Sequence, residues 1–578
     1  MKRTLYLMLS MFVLASMLLA ACGTPAATEA PAAPAAPAAT EAPAAPAATE
    51  APAATAAPAA PAFVGEKLAA PDCNYGGNFK ALEAIDELTV KFSFCNPEPA
   101  FLAKITLEAF DIYDEGNLKE IGGDATKMND NPIGTGPYIL KEWVRGDHLT
   151  FVPNPTYFGE KAANTTFIMK WNKEAAARLL DLQAGNVSGV AEVNVDDIAT
   201  IAADANLTLV PRNGHNFLYL GINNTHPPFD NESIRQAFAM AINKQKIVDD
   251  FYAPGSVAAT QFVQEGVNPG YTVGYKGPAF DAAKAKQMLT DAKFDFTKTY
   301  VLHYGDRTRP YFPAPSKIAQ AVQAQFAEIG VKLDIVMEDW AAYGPKVSAG
   351  EYDLFFLGWG EDYPDATNWY DVFLRGSQKN FGTPHADIVE LVNKAGQLGD
   401  AAERQKLYDQ INVLYDKHVP MAVIAHGNTN LAFLASVGNV SVGPYNENFP
   451  QMTTADGTVI FSQDGEPISL MCTDEGDGNS FRACTQLFSK LYKFGWGSAN
   501  PEPDLAEKCV GNADATEWTC TLKKGVLFSN GATLDANDVV ATLSAGFDYK
   551  NPLRKGNSGQ FNYFRDMFGP KGINQPAQ

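Results

Sequence analysis

The sequence predicts an α/β protein with several mixed sheets. Segments that alternate at period two recur among segments patterned at helical spacing. A chain of 578 residues is too long for one compact core, which sets an expectation of two or three domains. An aromatic content of 11% excludes a wholly disordered chain. The balance of 66 acidic against 45 basic side chains, a net charge of -21, excludes nucleic acid as a partner, because no basic stripe is present to displace counterions.

The elements follow in chain order. Lys2 and Arg3 precede an apolar run from Leu5 to Leu19, and Leu19-Ala20-Ala21-Cys22 follows. This resembles a bacterial lipobox, with residues 1–21 as a lipoprotein signal peptide and Cys22 as the acylated residue. The run is short of the ~20 residues that span a bilayer. Residues 22–62 are the lipidated Cys and a linker. From 24 to 62 there are only 22 Ala, 9 Pro, 5 Thr and 3 Glu, a composition that blocks a continuous helix and cannot build a core.

Ile85 to Phe94 alternates as a half-buried strand, and Ser233 to Asp250 reads as one amphipathic helix. Asp281 to Ala292 and Ala402 to Tyr415 are further helices. Lys317 to Ile329 is another, ended by Gly330. Val331 to Val336 and Tyr352 to Leu357 are strands. Asp535 is an N-cap, and Asp464-Gly465 lies between two apolar runs as a hairpin signal. Asp474 to Asn479 reads as a surface turn.

Beyond Cys22 lie Cys73, Cys95, Cys472, Cys484, Cys509 and Cys520. An even number in an exported chain favours disulfides. Fifteen pairings are open, of which local pairing (73/95, 472/484, 509/520) is the simplest. The histidines at 148, 215, 226, 303, 385, 418 and 426 form no i, i+4 pair, so spacing shows no metal site. No GxSxG, HExxH or GxxxxGK[ST] string is present, and no enzyme is expected.

Several strings occur together: Asn131-Pro132-Ile133-Gly134-Thr135-Gly136-Pro137-Tyr138, Asn154-Pro155-Thr156-Tyr157-Phe158-Gly159, Leu220-Gly221-Ile222-Asn223-Asn224, Pro227-Pro228-Phe229-Asp230, Ile234-Arg235-Gln236-Ala237, Gly358-Trp359-Gly360-Glu361-Asp362-Tyr363-Pro364-Asp365, and Arg404 to Tyr408. Their joint order over some 300 residues resembles the family 5 extracellular solute-binding proteins of ABC importers, which include dipeptide, oligopeptide and nickel binders. Strings that open this family stand late in this chain: Leu505-Ala506-Glu507, Trp518 to Val526, and Phe528-Ser529-Asn530-Gly531 before Leu534 to Val540. Asn530 and Asp535 replace the family's usual Asp and Thr. The order looks like a circular permutation of one copy; a fusion of two partial copies or an assembly error are the alternatives.

The resemblance implies a two-lobed, hinged, type II (cluster C) periplasmic-binding-protein-like fold with mixed sheets, circularly permuted. Lobe I would comprise 63–222 and 427–578, the latter holding the family's usual C-terminal strand followed by its usual N-terminal region; lobe II would comprise 223–426. It implies a monomeric receptor without a cofactor, extracytoplasmic or periplasmic and lipid-anchored to the outer face of the cell membrane. The partners would be ABC permease subunits and a short peptide. An oligosaccharide is the alternative ligand, and a secreted hydrolase or an adhesion module the alternative classes.

In peptide-binding relatives an Asp matching Asp362 pairs with the ligand's α-ammonium group. Gly358 would allow close backbone approach and Trp359 a flat apolar wall. Trp340, Trp369 and Trp496 are further aromatic candidates, with Tyr343, Tyr370 and Phe494 beside them. Asn223 and Arg235 are expected to be structural, and Asp365 a turn or cap residue.

Overall fold

A computed structural model describes residues 63–576 apart from Ser377 and Pro570. Cys22, the signal peptide and the linker lie outside the described residues.

Three main sheets build the protein. The first has five antiparallel strands in the order Lys67–Ala69, Phe79–Asp86, Thr89–Phe94, Glu517–Leu522 and Ala506–Gly511. Strands from both ends of the sequence therefore share one sheet, with Trp518 opposite Phe92. The helix Ala536–Phe547 packs on it, and Phe547 stacks on Phe79 with centroids 3.8 Å apart. Asp535 caps that helix in a capping box with Asp538, as expected.

The second sheet runs Val257–Ala258, Met421–His426, Asn216–Ile222, Leu354–Gly360, Thr299–Gly305 and Lys332–Glu338. Its helices cover both faces. Along Asn216–Ile222, Phe217 and Tyr219 enter one core while Leu218, Leu220 and Ile222 enter the other, so the strand reads as a continuous buried run. This strand lies inside the sheet, although a boundary at residue 223 would assign it to the flanks. The third sheet has seven strands, Tyr138–Val144, His148–Pro153, Thr166–Trp171, Thr458–Gln463, Gly189–Val190, Thr429–Leu434 and Leu207–Arg212.

The chain crosses between the second and third sheets twice, near Gly214 and near Gly427. The crossings are stitched together: Asn216 Nδ2 donates to the Gly427 carbonyl at 2.8 Å, and Gly427 N–H donates to Asn216 Oδ1 at 2.9 Å.

Several expectations are corrected. The segment 85–94 is not one strand. It turns at Glu87–Leu88, where Asp86 Oδ1 accepts the Leu88 N–H, and Ile85 is half exposed beside the turn. The helix expected over 233–250 is two, Glu232–Ala241 and Lys244–Phe251. Asn243 breaks the run because its side chain caps the second helix through Lys246 N–H. Asp464-Gly465 makes no hairpin: Thr458–Gln463 pairs in parallel with Thr166–Trp171 and Gly189–Val190.

The other elements fall near their expected places, as Ala282–Asp291, Pro315–Glu328, Ala401–His418, Lys332–Glu338 and Leu354–Gly360. The cysteines pair locally as 73–95, 472–484 and 509–520. Cys509 and Cys520 lie directly opposite each other on adjacent strands.

Candidate functional site

The strand Leu354–Gly360 ends in a six-residue loop that leads into the helix Thr367–Leu374. Both ends of the loop are pinned. On one side, Glu361 N–H donates to the His215 carbonyl at 2.7 Å. The Glu361 carboxylate, fully buried, takes Trp369 Nε1–H at 2.8 Å and also meets His215 Nδ1 and the Tyr445 hydroxyl. On the other side, Arg404 grips Asp365 through two parallel bonds. Asp365 Oδ1 also accepts Thr367 N–H at 2.9 Å.

Asp362 sits between these anchors. Its N–H donates to Asn368 Oδ1 at 2.9 Å, and Asn368 Nδ2 reaches its carboxylate at 3.3 Å. Among the described residues, no cation pairs with Asp362. Burial pushes its carboxyl up to about 6; Asn368 opposes this, and the charges of Glu361 and Asp566 add to it.

Asp566 belongs to the helix Asn562–Phe568, carried by the late part of the chain. Tyr563 on the same helix has its hydroxyl pushed up by burial, with Asp362 as the largest charge contributing. Its ring lies 5.9 Å from that of Phe481, and Gly476 backs it. Glu475, next to Gly476, is 9% exposed and pushed up to about 7 by burial, opposed by Asn557 and reinforced by Asp477 and Asp474. One of its oxygens is buried without a partner. Asp566 and Tyr563 thus bring an acidic and an aromatic side chain into the electrostatic surroundings of Asp362.

Beside the loop a 760 Å³ cavity opens, lined by Glu98, Lys104, Tyr363, Asp371, Arg375 and Asp566 among others. Asp371 is pushed up to about 6 by burial, against the pull of Arg375 and Lys104.

The other expected site residues are dispersed. Trp359 is half-buried in the loop's own packing, edge-on to Phe373 at 5.8 Å, with Nε1 3.4 Å from Asn368 Oδ1. Gly358 is needed for packing rather than ligand approach, since a Cβ there would overlap the Tyr311 ring and the Phe217 carbonyl. Trp340 opens the helix Trp340–Ala349, and the guanidinium groups of Arg307 and Arg309 lie 5.8 and 5.4 Å from its ring. Trp369 is fully buried and offers no face to a ligand; Tyr343 and Tyr370 are likewise core. Trp496 lines a different pocket of 460 Å³ with Tyr157, Phe158, Lys493, Lys523 and Lys524.

Asp365 is more than a cap. Its partner, Arg404, comes from 39 positions on, which no local pattern reveals. Asp474 is not in a surface turn. It is buried and accepts the N–H groups of Ser558, Gly559 and Phe561 at 2.6, 2.7 and 2.6 Å, fixing the loop before the Asn562–Phe568 helix. Tyr563 and Asp566 stand near Asp362 without a signal in the sequence that marks them as site residues. Arg235 and Asn223 are structural as expected: Arg235 Nε donates to the His418 carbonyl at 2.8 Å, and Asn223 Nδ2 to the Gly350 carbonyl at 3.0 Å.

Comparison with known proteins places this arrangement. The family model for bacterial extracellular solute-binding proteins, family 5 Middle, matches residues 41–381 and 500–571. The chain is 30% identical over 388 residues to di/tripeptide-binding protein 3 of Pseudomonas aeruginosa, covering 65% of this chain and 72% of that protein. It is 27% identical over 354 residues to the dipeptide-binding protein of Escherichia coli, covering 60% and 66%. Among solved structures it is similar to HbpA2 from Haemophilus parasuis, with a TM-score of 0.59 and 27% identity over 65% of this chain and 76% of that one. A dipeptide binding protein from Pseudoalteromonas sp. SM9913, in complex with Met-Leu, shares the fold with a TM-score of 0.50 and 23% identity over 64% and 76% of the two chains. The fold is that of the type II periplasmic binding proteins, and the chain belongs to the family 5 extracellular solute-binding proteins.

Proposed function

We propose that this protein captures short peptides between its two lobes and delivers them to an ABC permease, with Asp362 receiving the peptide's α-ammonium group. The observation that carries this reading is the setting of Asp362. Its carboxylate is held on a loop pinned at both ends, lacks a cationic partner among the described residues, and is raised by burial. An incoming ammonium group would supply the missing counter-charge, in a charge-assisted hydrogen bond contributing ~1.5–3 kcal/mol. The names of the relatives, di/tripeptide- and dipeptide-binding proteins, point the same way.

In this reading lobe II is the middle part, about 223–426 with the strand from Asn216 added, and lobe I is assembled from the flanks. Closure turns on the crossings near Gly214 and Gly427, driven by contacts present only in the closed state. The lipobox and spacer tether the receptor to the outer face of the membrane. A thermal-shift screen with di- to pentapeptides tests the ligand class: stabilisation is expected for the native protein and lost in Asp362→Ala. Shifts with sugars that ignore Asp362→Ala would count for an oligosaccharide receptor.

We also read the chain as one family copy in permuted order. Two features support this: the family match falls in two blocks, and the strand Glu517–Leu522 fills the gap between Thr89–Phe94 and Ala506–Gly511. Peptides of the native protein that cross residues 455–475, found by mass spectrometry, would support it. Their absence alongside otherwise full coverage would count against it.

A further inference from the structure

Three helix ends meet on the middle part of the molecule. Glu232 opens the helix Glu232–Ala241, His385 precedes the helix Ala386–Ala395 as its N-cap, and His418 closes the helix Ala401–His418. Arg235 fixes the last of these ends by donating from Nε and Nη2 to the His418 carbonyl at 2.8 and 2.6 Å. The His418 imidazole therefore stands in a set position, with Nδ1 against a Glu232 carboxylate oxygen and Nε2 2.8 Å from Asp387 Oδ2. The ring of His385 lies alongside it, with centroids 4.2 Å apart. One donor atom each from Glu232, His385 and His418 lie within 4.8 Å of one another.

The chemistry of this cluster suits a divalent transition metal. When Nε2–H of His418 donates to Asp387, its Nδ1 carries a lone pair. That lone pair faces a carboxylate oxygen, an arrangement that is repulsive without a proton or cation between them. A carboxylate on the far nitrogen is the usual outer-shell partner of a metal-bound histidine, since it fixes the tautomer and raises ligand basicity. Two imidazoles and one carboxylate form a common donor set for zinc, with a fourth position left to solvent. Zinc bonds of about 2.0–2.1 Å put neighbouring ligand atoms roughly 3.3–3.5 Å apart, so the Glu232 oxygen and His418 Nδ1, now in hydrogen-bond contact, must part to admit the ion, and no donor pair of the trio lies beyond 4.8 Å. His418 is nearly buried, whereas the Glu232 and Asp387 side chains are 42% and 43% exposed, which gives an ion a path in. Arg235 approaches Glu232 at 4.0 Å, but its Nε and Nη groups are engaged by backbone carbonyls. None of the three donors lines the cavity beside Asp362.

We propose that Glu232, His385 and His418, with Asp387 behind His418, bind one divalent transition-metal ion of the zinc type and tie three helix ends together. The site is separate from the peptide reading and does not depend on it.

The test is titration of the full chain, stripped with chelator, with Zn(II) alone by calorimetry, and with Co(II) followed by its visible absorption. One equivalent should bind with a dissociation constant of about 1 μM or tighter, and zinc should raise the melting temperature. His385→Ala, at a partly exposed position that leaves the helix packing intact, should weaken binding at least tenfold, as should Glu232→Gln. Asp362→Ala should bind zinc as the native protein does. Absence of zinc binding, or an affinity unchanged in both His385→Ala and Glu232→Gln, would overturn the proposal.

Discussion

Arg404 binds both carboxylate oxygens of Asp365, with Nη1 2.9 Å from Oδ2 and Nη2 2.5 Å from Oδ1, three residues beyond Asp362. Both side chains are almost fully buried. The pair fixes the far end of the loop that presents Asp362, so it links stability to the site. Removing one partner leaves a buried charge alone. Asp365→Asn or Arg404→Met should each destabilise by about 3–5 kcal/mol in denaturant unfolding, and the double variant by less than the sum of the two. The guanidinium holds the Asp365 carboxyl below its ordinary value despite burial. This contribution is therefore complete above the ordinary carboxylate range and is lost as pH falls below it.

Asp362 has the opposite sign. Its folded-state value of about 6 lies above that of the unfolded chain, so the protonated form favours the unliganded fold, and stability falls as pH rises from about 4 through 6. Asp362→Asn should raise stability at pH 8, on the order of 1 kcal/mol after solvent screening, while removing the response to peptide. Peptide affinity should fall as pH drops below about 6, because a protonated acid offers an ammonium group no counter-charge. Melting curves and calorimetry across pH 5 to 8 check both directions; parallel profiles for native and Asp362→Asn protein would contradict them.

Glu361 joins the Tyr445 hydroxyl to Trp369 Nε1 and His215. Tyr445 also stacks on Phe494 at 4.1 Å. Tyr445→Phe removes one donor from a buried carboxylate and should cost about 1–3 kcal/mol. Trp369 is one of seven tryptophans, and its indole is bonded directly to this carboxylate. The variant's emission spectrum should therefore shift even without ligand. An unchanged spectrum and melting temperature would show that this network carries no load.

The three disulfides differ in burial. Cys73 is exposed and Cys95 half-buried, whereas Cys472 and Cys484 are fully inaccessible. Mild reductant under native conditions should open 73–95 first and leave 472–484 closed until the fold melts. Differential alkylation read by mass spectrometry gives the order.

Much of the fold was legible because its signals are local. The apolar run from Tyr352 to Leu357 reads as a strand and forms most of Leu354–Gly360, and Gly330 with φ of +91° stops its helix where glycine is needed. Local cysteine spacing matched the pairs for the same reason. The sequence misled where a single polar side chain overrode a periodic run, as Asn243 and Asp86 do. The loop around Asp362 could be read from its string of residues, but its supports could not: His215, Arg404 and Tyr445 come from separate parts of the chain. Likewise, the histidines show no helical pairing because His385 and His418 converge only through the packing of two helices.

The most direct test of the central claim is calorimetric titration of native and Asp362→Ala protein with a set of di- to pentapeptides and their N-acetylated counterparts. Peptides with a free amino terminus should bind the native protein. Acetylation and Asp362→Ala should each cost roughly ten- to hundredfold in affinity, and their effects should not add. Equal binding of acetylated and free peptides, or an unchanged affinity in Asp362→Ala, would contradict the account.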